Sequence, residues 1–229
     1  LNKKYGKELF YFMYRKRHWN EKEEQFMGYE RKRGALIHFN KVLLGKMDDK
    51  ANKKYFNVNM LHNKKLGIKY VITLDTDTRL VLNTALNLVG CMHHPMNRPV
   101  LNKNENKVIK GYGLMQPRVS LDIEATNKSL YSQIFAGIGG FDTYSAVVPN
   151  VYQDSFGEGS FVGKGIYDLE TFDKVLSNRF PDNLILSHDL LEGNYIRCGY
   201  VSDIELIDDF PSKFLTDTIT SPLTKLLLS

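Results

Sequence analysis

Tyr70-Val71-Ile72-Thr73-Leu74-Asp75-Thr76-Asp77 decides how this chain is read. A run rich in β-branched residues predicts a buried strand of a parallel sheet, and it ends on two carboxylates spaced i, i+2. In an open α/β sheet ligands sit beyond the carboxyl ends of the strands. Two acids leaving a strand together can hold a hard divalent cation, and such a cation commonly bridges to phosphate oxygens. Two readings fit the segment taken alone: a site for a nucleotide-activated sugar, or a strand closed by an ordinary Asp/Thr turn.

Working outward, helical and strand patterns alternate. Helical spacing is predicted from about Glu21 to Leu44, with Ala35, Leu36, Phe39, Val42 and Leu43 on one face and Gly45 as the cap. Further helices are expected over Leu80–Met92, Leu130–Ile138, Leu169–Leu176 and His188–Arg197. Strands are expected at 69–74, at 113–119, placed at an edge or ended by Pro117, and at Val201–Ile207. Residues 1–20 carry Tyr5, Phe10, Tyr11, Phe12, Tyr14 and Trp19 and read as a segment packed against something; 46–66 read as a polar surface excursion. The alternation predicts an α/β fold with a mostly parallel sheet and flanking helices.

The 229 residues suit one large domain or two small ones. No run approaches the ~18 apolar residues of a membrane span, and no signal peptide is expected. Cys91 and Cys198 lack metal spacing and are expected as buried thiols rather than a disulfide, which fits a reducing compartment. Charge is lopsided. Residues 1–70 hold 18 Lys/Arg against 7 Asp/Glu, whereas 71–229 hold 13 against 19. A basic front half suits phosphates, an anionic surface or simple solvation. No nucleic-acid-binding motif accompanies it, so nucleic acid is not an expected partner.

Several stretches could carry chemistry. Asp154 to Gly165 is glycine-rich, but it is not a phosphate-binding loop. The spacing before Gly163-Lys164 is wrong, and Gly165 stands where Ser or Thr would meet magnesium. It reads as a close-approach loop carrying Glu158, or as a tight turn. Ser187-His188-Asp189 opens a predicted helix. Ser187 or Asp189 there is a simple N-cap, or Asp189 is a general base that takes the proton of an attacking hydroxyl. Arg31-Lys32-Arg33-Gly34, near a helix start, is a diphosphate-gathering cluster or a solvated turn. His93-His94-Pro95 is expected at a helix end rather than on a metal. Aspartyl-phosphate phosphatases also place Asp-x-Asp after a strand, with Asp208-Asp209 as the later acids. Arg79 stands where they need Thr or Val, and their nucleophile strand comes earlier in the chain.

Taken together the segments resemble the glycosyltransferase domain of cyclic β-1,2-glucan synthases, relatives of processive inverting transferases such as cellulose synthase. The resemblance rests on Trp19-Asn20, Met27 to Gly34, Phe39-Asn40, Tyr70 to Leu80, His94 to Pro99, Gln116 to Val119, Val151 to Asp154, Gly157 to Ser160, Gly163 to Asp168, Ser187 to Leu190, Glu192-Gly193 and Phe210 to Ser212. It implies a nucleotide-diphospho-sugar transferase fold (GT-A-like, Rossmann-like). It implies UDP-glucose as donor, a growing β-1,2-glucan as acceptor, and Mg²⁺ or Mn²⁺ at Asp75 and Asp77. Asp189 would be the catalytic base, with His188 in place of the usual Glu before it. Lys32, Asp75 and His188 would contact the donor. Phe156, Gly157, Glu158 and Gly159 would line the acceptor channel.

The resemblance also implies a parent enzyme at the cytoplasmic face of the bacterial inner membrane, held by flanking membrane segments that do not occur here. Neither the early uracil-gripping strand nor a Gln-x-x-Arg-Trp motif after the base is found. The expectation is therefore a partial transferase domain over 1–214, truncated at both ends, with a tail of uncertain origin over 215–229. The alternative is a non-catalytic remnant or interaction module of the same fold.

Overall fold

The computed structural model describes residues 1–61, 66–139, 151–182, 184, 188–214 and 216. Ser187 and most of the expected tail 215–229 lie outside the described residues. The chain divides into two compact units. The first comprises Leu1–Lys69 with Ser177–His188, the second Tyr70–Leu176 with the residues from Asp189 onward.

The first unit contains α1 (Asn2–Tyr5), β1 (Met13–Arg15), β2 (Arg17–Asn20), β3 (Gln25–Gly28), α2 (Arg31–Leu43), α3 (Asp49–Tyr55) and β4 (Phe56–Asn59). Strands β1 and β4 pair antiparallel, as do β2 and β3. The helix expected from Glu21 therefore starts ten residues late. Glu30, which precedes α2, and Arg31, its first residue, both hold left-handed φ angles, which turn the chain sharply out of the β2–β3 hairpin as the helix starts. Gly45 does close α2, with φ +68° and its N–H bonded to the Val42 carbonyl.

Residues 46–66 are more than a polar excursion. Asp48 caps α3 by accepting from the Ala51 N–H, and Phe56 and Leu61 are buried with Val42, packed by Phe39, Leu43 and Tyr55. The aromatic front segment packs in part: Tyr11 and Met13 lie against that cluster, whereas Tyr5, Phe10, Phe12, Tyr14 and Trp19 are exposed.

His38 on α2 is buried, with its ring 3.9 Å from that of Tyr55 and 5.4 Å from that of Tyr29. Burial first, and then the Arg15 charge, lower its pKa to about 4. The imidazole is thus buried neutral. Between pH 6.5 and 4 the unfolded chain binds the proton that the folded one refuses, so stability falls as pH drops through that window and is fully present above it. The expected loss is up to ~3 kcal/mol. Denaturant titrations at pH 7.5 and 4.5 check it, and His38→Phe should flatten the slope.

The second unit contains β5 (Tyr70–Thr73), β6 (Thr78–Leu80), α4 (Thr84–His93), a 3₁₀ turn at Pro95–Asn97, β7 (Val100–Leu101), β8 (Val108–Lys110), β9 (Leu114–Leu121), α5 (Ile123–Thr126), α6 (Leu130–Gly139), α7 (Val151–Phe156), β10 (Gly165–Asp168), α8 (Leu169–Leu176), α9 (Asp189–Ile196) and β11 (Cys198–Asp208). Five strands form its main sheet in the order β5-β10-β9-β11-β6. Leu88 and Met92 of α4 pack on Met115, Ile166 and Ile204 to make its core. His94 ends α4 and accepts from the Met96 N–H, the helix-end role expected of it. Cys91 and Cys198 are free; Cys91 is only half-buried rather than buried as expected, whereas Cys198 is buried, and burial pushes its thiol well up, so it is an inert core group.

The expectation of a mostly parallel sheet is corrected. Among the described strands of this sheet, only the β9–β11 pairing is parallel; β5–β10, β10–β9 and β11–β6 are antiparallel. A fully buried strand reads as the same apolar run whichever way its neighbour points, so pattern alone does not give direction.

The strand holding Pro117 is central rather than marginal. It tolerates the proline because β10 pairs with it only at Leu114 and Met115, and the β11 ladder shifts register just beyond Val201↔Pro117. Strand β11 is also longer than the expected Val201–Ile207. No helix among the described residues is long and apolar enough to cross a membrane.

Candidate functional site

Strands β5, β9 and β11 run the same way, and β10 and β6 run against them. The carboxyl ends of the first three therefore meet the amino ends of the other two along one sheet edge. That edge gathers Asp75 after β5, Asp122 after β9, Asp208 closing β11, Lys164 just before β10 and Thr78 opening β6. The registers Thr73↔Gly165, Leu121↔Asp208 and Thr78↔Asp208 hold them level. Gly165 permits this: a Cβ there would run into the Met115 carbonyl.

Lys164 is the centre of this edge. Its ammonium is paired with Asp208 and lies 3.6 Å from an Asp75 carboxylate oxygen, with its side chain 13% exposed. The Thr78 hydroxyl donates to Asp208 at 2.7 Å, and the Thr78 N–H bonds the Asp75 carbonyl at 3.2 Å, closing a tight turn. Asp77 is exposed, and its carbonyl accepts from the Asp209 N–H at 3.1 Å. Arg79 is paired with Asp122 and lies 2.7 Å from Asp209. Asp75 and Asp77 thus leave β5 on an edge already built to hold a positive charge between carboxylates. Hard oxygens of this kind suit Mg²⁺ or Mn²⁺, which need only one or two protein carboxylates when phosphate and water complete the shell.

The expected acceptor residues lie elsewhere in the second unit. Phe156 ends α7 and is exposed. The Gly157 carbonyl accepts from the Tyr112 hydroxyl at 3.0 Å, Glu158 is 3.1 Å from the Arg197 guanidinium, and the Gly159 N–H bonds the Cys198 carbonyl at 2.7 Å. Tyr112 precedes β9 and Cys198 opens β11, so this loop begins at the amino ends of the strands whose carboxyl ends carry Asp122 and Asp208. An eight-residue strand at ~3.3 Å per residue separates the two ends by roughly 25 Å. Gly159 has no room for a side chain, since a Cβ would strike Tyr200.

Asp189 opens α9, half-buried, and Glu192 one turn on is buried; an oxygen of each carboxylate lies within 4.8 Å of the other. Lys32 and His188 belong to the first unit. Lys32 is half-buried on the first turn of α2 and His188 is buried. Beside Lys32, Arg33 is buried and paired with Glu30, with Asp182 at 3.7 Å. That buried guanidinium serves the unit's own packing rather than a solvated basic turn.

The sequence gives Lys164 no role of its own: it stands there as the lysine of a failed phosphate loop and as one position of the motif Gly163 to Asp168. A Lys immediately before a buried four-residue strand was the available signal. Asp208 entered only through the phosphatase reading. Arg118 and Glu205 are legible only as positions in strands, and nothing in the sequence singles out Asp122.

No family model matches the chain. It is 44% identical over 210 residues, 91% of its length, to the cyclic β-(1,2)-glucan synthase NdvB of Rhizobium meliloti (strain 1021). The chain spans about 7% of the length of that relative.

Proposed function

We propose that this chain, a relative of the cyclic β-glucan synthases, is the donor-and-metal part of an inverting glucosyltransferase that moves glucose from UDP-glucose to a growing β-1,2-glucan. The observation that carries the reading is the single sheet edge on which Asp75, Lys164 and Asp208 are brought together beside Asp77. Asp75 and Asp77 would hold Mg²⁺ or Mn²⁺, which when bound offsets the charge on the departing diphosphate.

In this reading Asp189 takes the proton from the acceptor hydroxyl. The hydroxyl oxygen attacks the anomeric carbon from the face opposite UDP, the new C–O bond forms, and the bond to UDP breaks with its electron pair leaving on the diphosphate. Lys32 and His188 contact the donor, and Phe156–Gly159 guide the glucan. The parent enzyme would work at the cytoplasmic face of the inner membrane, with the membrane contacts made outside residues 1–214, the partial transferase domain.

A transfer assay tests this. Incubating the chain with UDP-glucose, Mn²⁺ and a β-1,2-linked gluco-oligosaccharide should yield products longer by one glucose; a product with retained anomeric configuration, or none, counts against it. A non-catalytic remnant would show no turnover while still binding the donor. One observation favours a second reading: Asp208 shares Lys164 with Asp75, as a later acid of a phosphatase would. Hydrolysis of a simple phosphate monoester, abolished by Asp75→Asn, would promote it.

A further inference from the structure

We propose that the groove between the ends of β9 and β11 and the helices α5 and α6 is a binding site for a neutral gluco-oligosaccharide. Its volume is about 730 Å³, within the usual range of small-molecule sites. Arg118, Ser120, Asp122, Asn127, Gln133 and Glu205 supply its polar lining.

The polar groups are held in place before any ligand arrives. Glu205 is fixed by Arg118 at 3.1 Å and by the Ser120 hydroxyl. Asp122 is fixed by Arg79 and by the Glu124 N–H at 3.0 Å. Asn127 donates to the Ile123 carbonyl at 2.9 Å, which sets its amide plane. Such preorganisation lowers the ordering cost of binding.

The lining selects the ligand class. Each carboxylate already has a guanidinium, Glu205 that of Arg118 and Asp122 that of Arg79, so the groove offers an anion no free positive charge and suits a neutral ligand. A sugar hydroxyl instead donates to the carboxylates and exchanges hydrogen bonds in both directions with the Asn127 and Gln133 amides. Apolar wall from Ile123, Ala136 and Ile207 suits the C–H faces of a pyranose ring.

The groove adjoins the acidic edge. The Asp122 N–H bonds the Asp208 carbonyl at 2.8 Å, and Asp208 shares Lys164 with Asp75. A glucan lying here would present its end to a donor at Asp75, and the loop Phe156–Gly159, at the far strand ends, would meet sugars further along the same glucan. That the sugar is a β-1,2-glucan rests on the proposed function; the preference for a neutral polyol does not.

The test is a calorimetric titration of the whole chain with a linear β-1,2-linked gluco-oligosaccharide, repeated for Asn127→Ala/Gln133→Ala. Both residues are exposed on the rim. The pair should weaken sugar binding about tenfold, as expected for two lost hydrogen bonds, and leave Mn²⁺–UDP binding unchanged. Gln133→Trp, which fills the groove without removing a bond that holds the fold, should abolish sugar binding. The proposal is overturned if the wild-type chain does not bind the sugar, if the variants bind it equally, or if inorganic diphosphate displaces it. Each of those results leaves the Asp75–Asp77 reading standing. Loss of UDP binding in an Asp75→Ala/Asp77→Ala variant that still takes the sugar would do the reverse.

Discussion

Lys164→Met is expected to destabilise the second unit by about 2–3 kcal/mol at pH 7 without metal, lowering the melting temperature by roughly 5–10 °C. The ammonium is mostly buried and sits between two carboxylates, one in a pair with Asp208 and the other, on Asp75, 3.6 Å away. Removing it leaves Asp208, only 15% exposed, with the Thr78 hydroxyl in place of a charge partner. An uncompensated buried carboxylate costs more than the pair contributes, because its desolvation is no longer offset.

A divalent cation at Asp75 replaces part of the lost positive charge. Millimolar Mn²⁺ should therefore raise the melting temperature of the variant more than that of the wild type. Thermal melts with and without Mn²⁺ read both effects. An unchanged melting temperature in the variant would mean that Lys164 does not hold the acidic edge together.

Asp189→Asn is expected to lower glucosyl transfer by ~100- to 10,000-fold, the usual contribution of a positioned general base. The amide keeps the size of the carboxylate and the start of α9, but it cannot accept the acceptor's proton. Binding of UDP with Mn²⁺ should stay within about twofold, because Asp189 has no part in gripping the diphosphate in this account. Comparing initial rates of transfer with calorimetric affinities separates the two roles. A variant that transfers at the wild-type rate would remove Asp189 from the chemistry. A variant that loses transfer and UDP binding together would make it a structural residue.

How much of this was legible in the sequence depended on how local the signal was. Leu169–Leu176 reads as a helix and is one, because its apolar set and its boundaries lie within a single eight-residue run. The strand ahead of Asp75 is legible as a strand, since its β-branched run leaves few alternatives, but not as the buried parallel strand expected: it stands at the end of the described sheet, pairs antiparallel with β10 and is buried only at alternate residues. The β2–β3 hairpin was hidden because Gln25–Gly28 carries no alternation, and the left-handed residues that start α2 late, Glu30 and Arg31, are types that do not advertise that geometry.

The site is harder still. Lys164 meets Asp75 and Asp208 only because β10 runs against β5 and β9, and strand direction is a property of the whole sheet. The groove draws on residues 118, 122, 127, 133 and 205, whose common location follows from the parallel β9–β11 pairing across some eighty residues of chain. No spacing rule links them.

Calorimetry with UDP, with and without Mn²⁺, on the wild-type chain and on Asp75→Ala/Asp77→Ala, tests the account most directly. The expected result is saturable UDP binding that requires Mn²⁺ in the wild type and disappears in the double variant while its fold persists. Equal UDP binding by the two proteins, or binding indifferent to the metal, would contradict the claim that these two acids hold the cation that shields the leaving diphosphate.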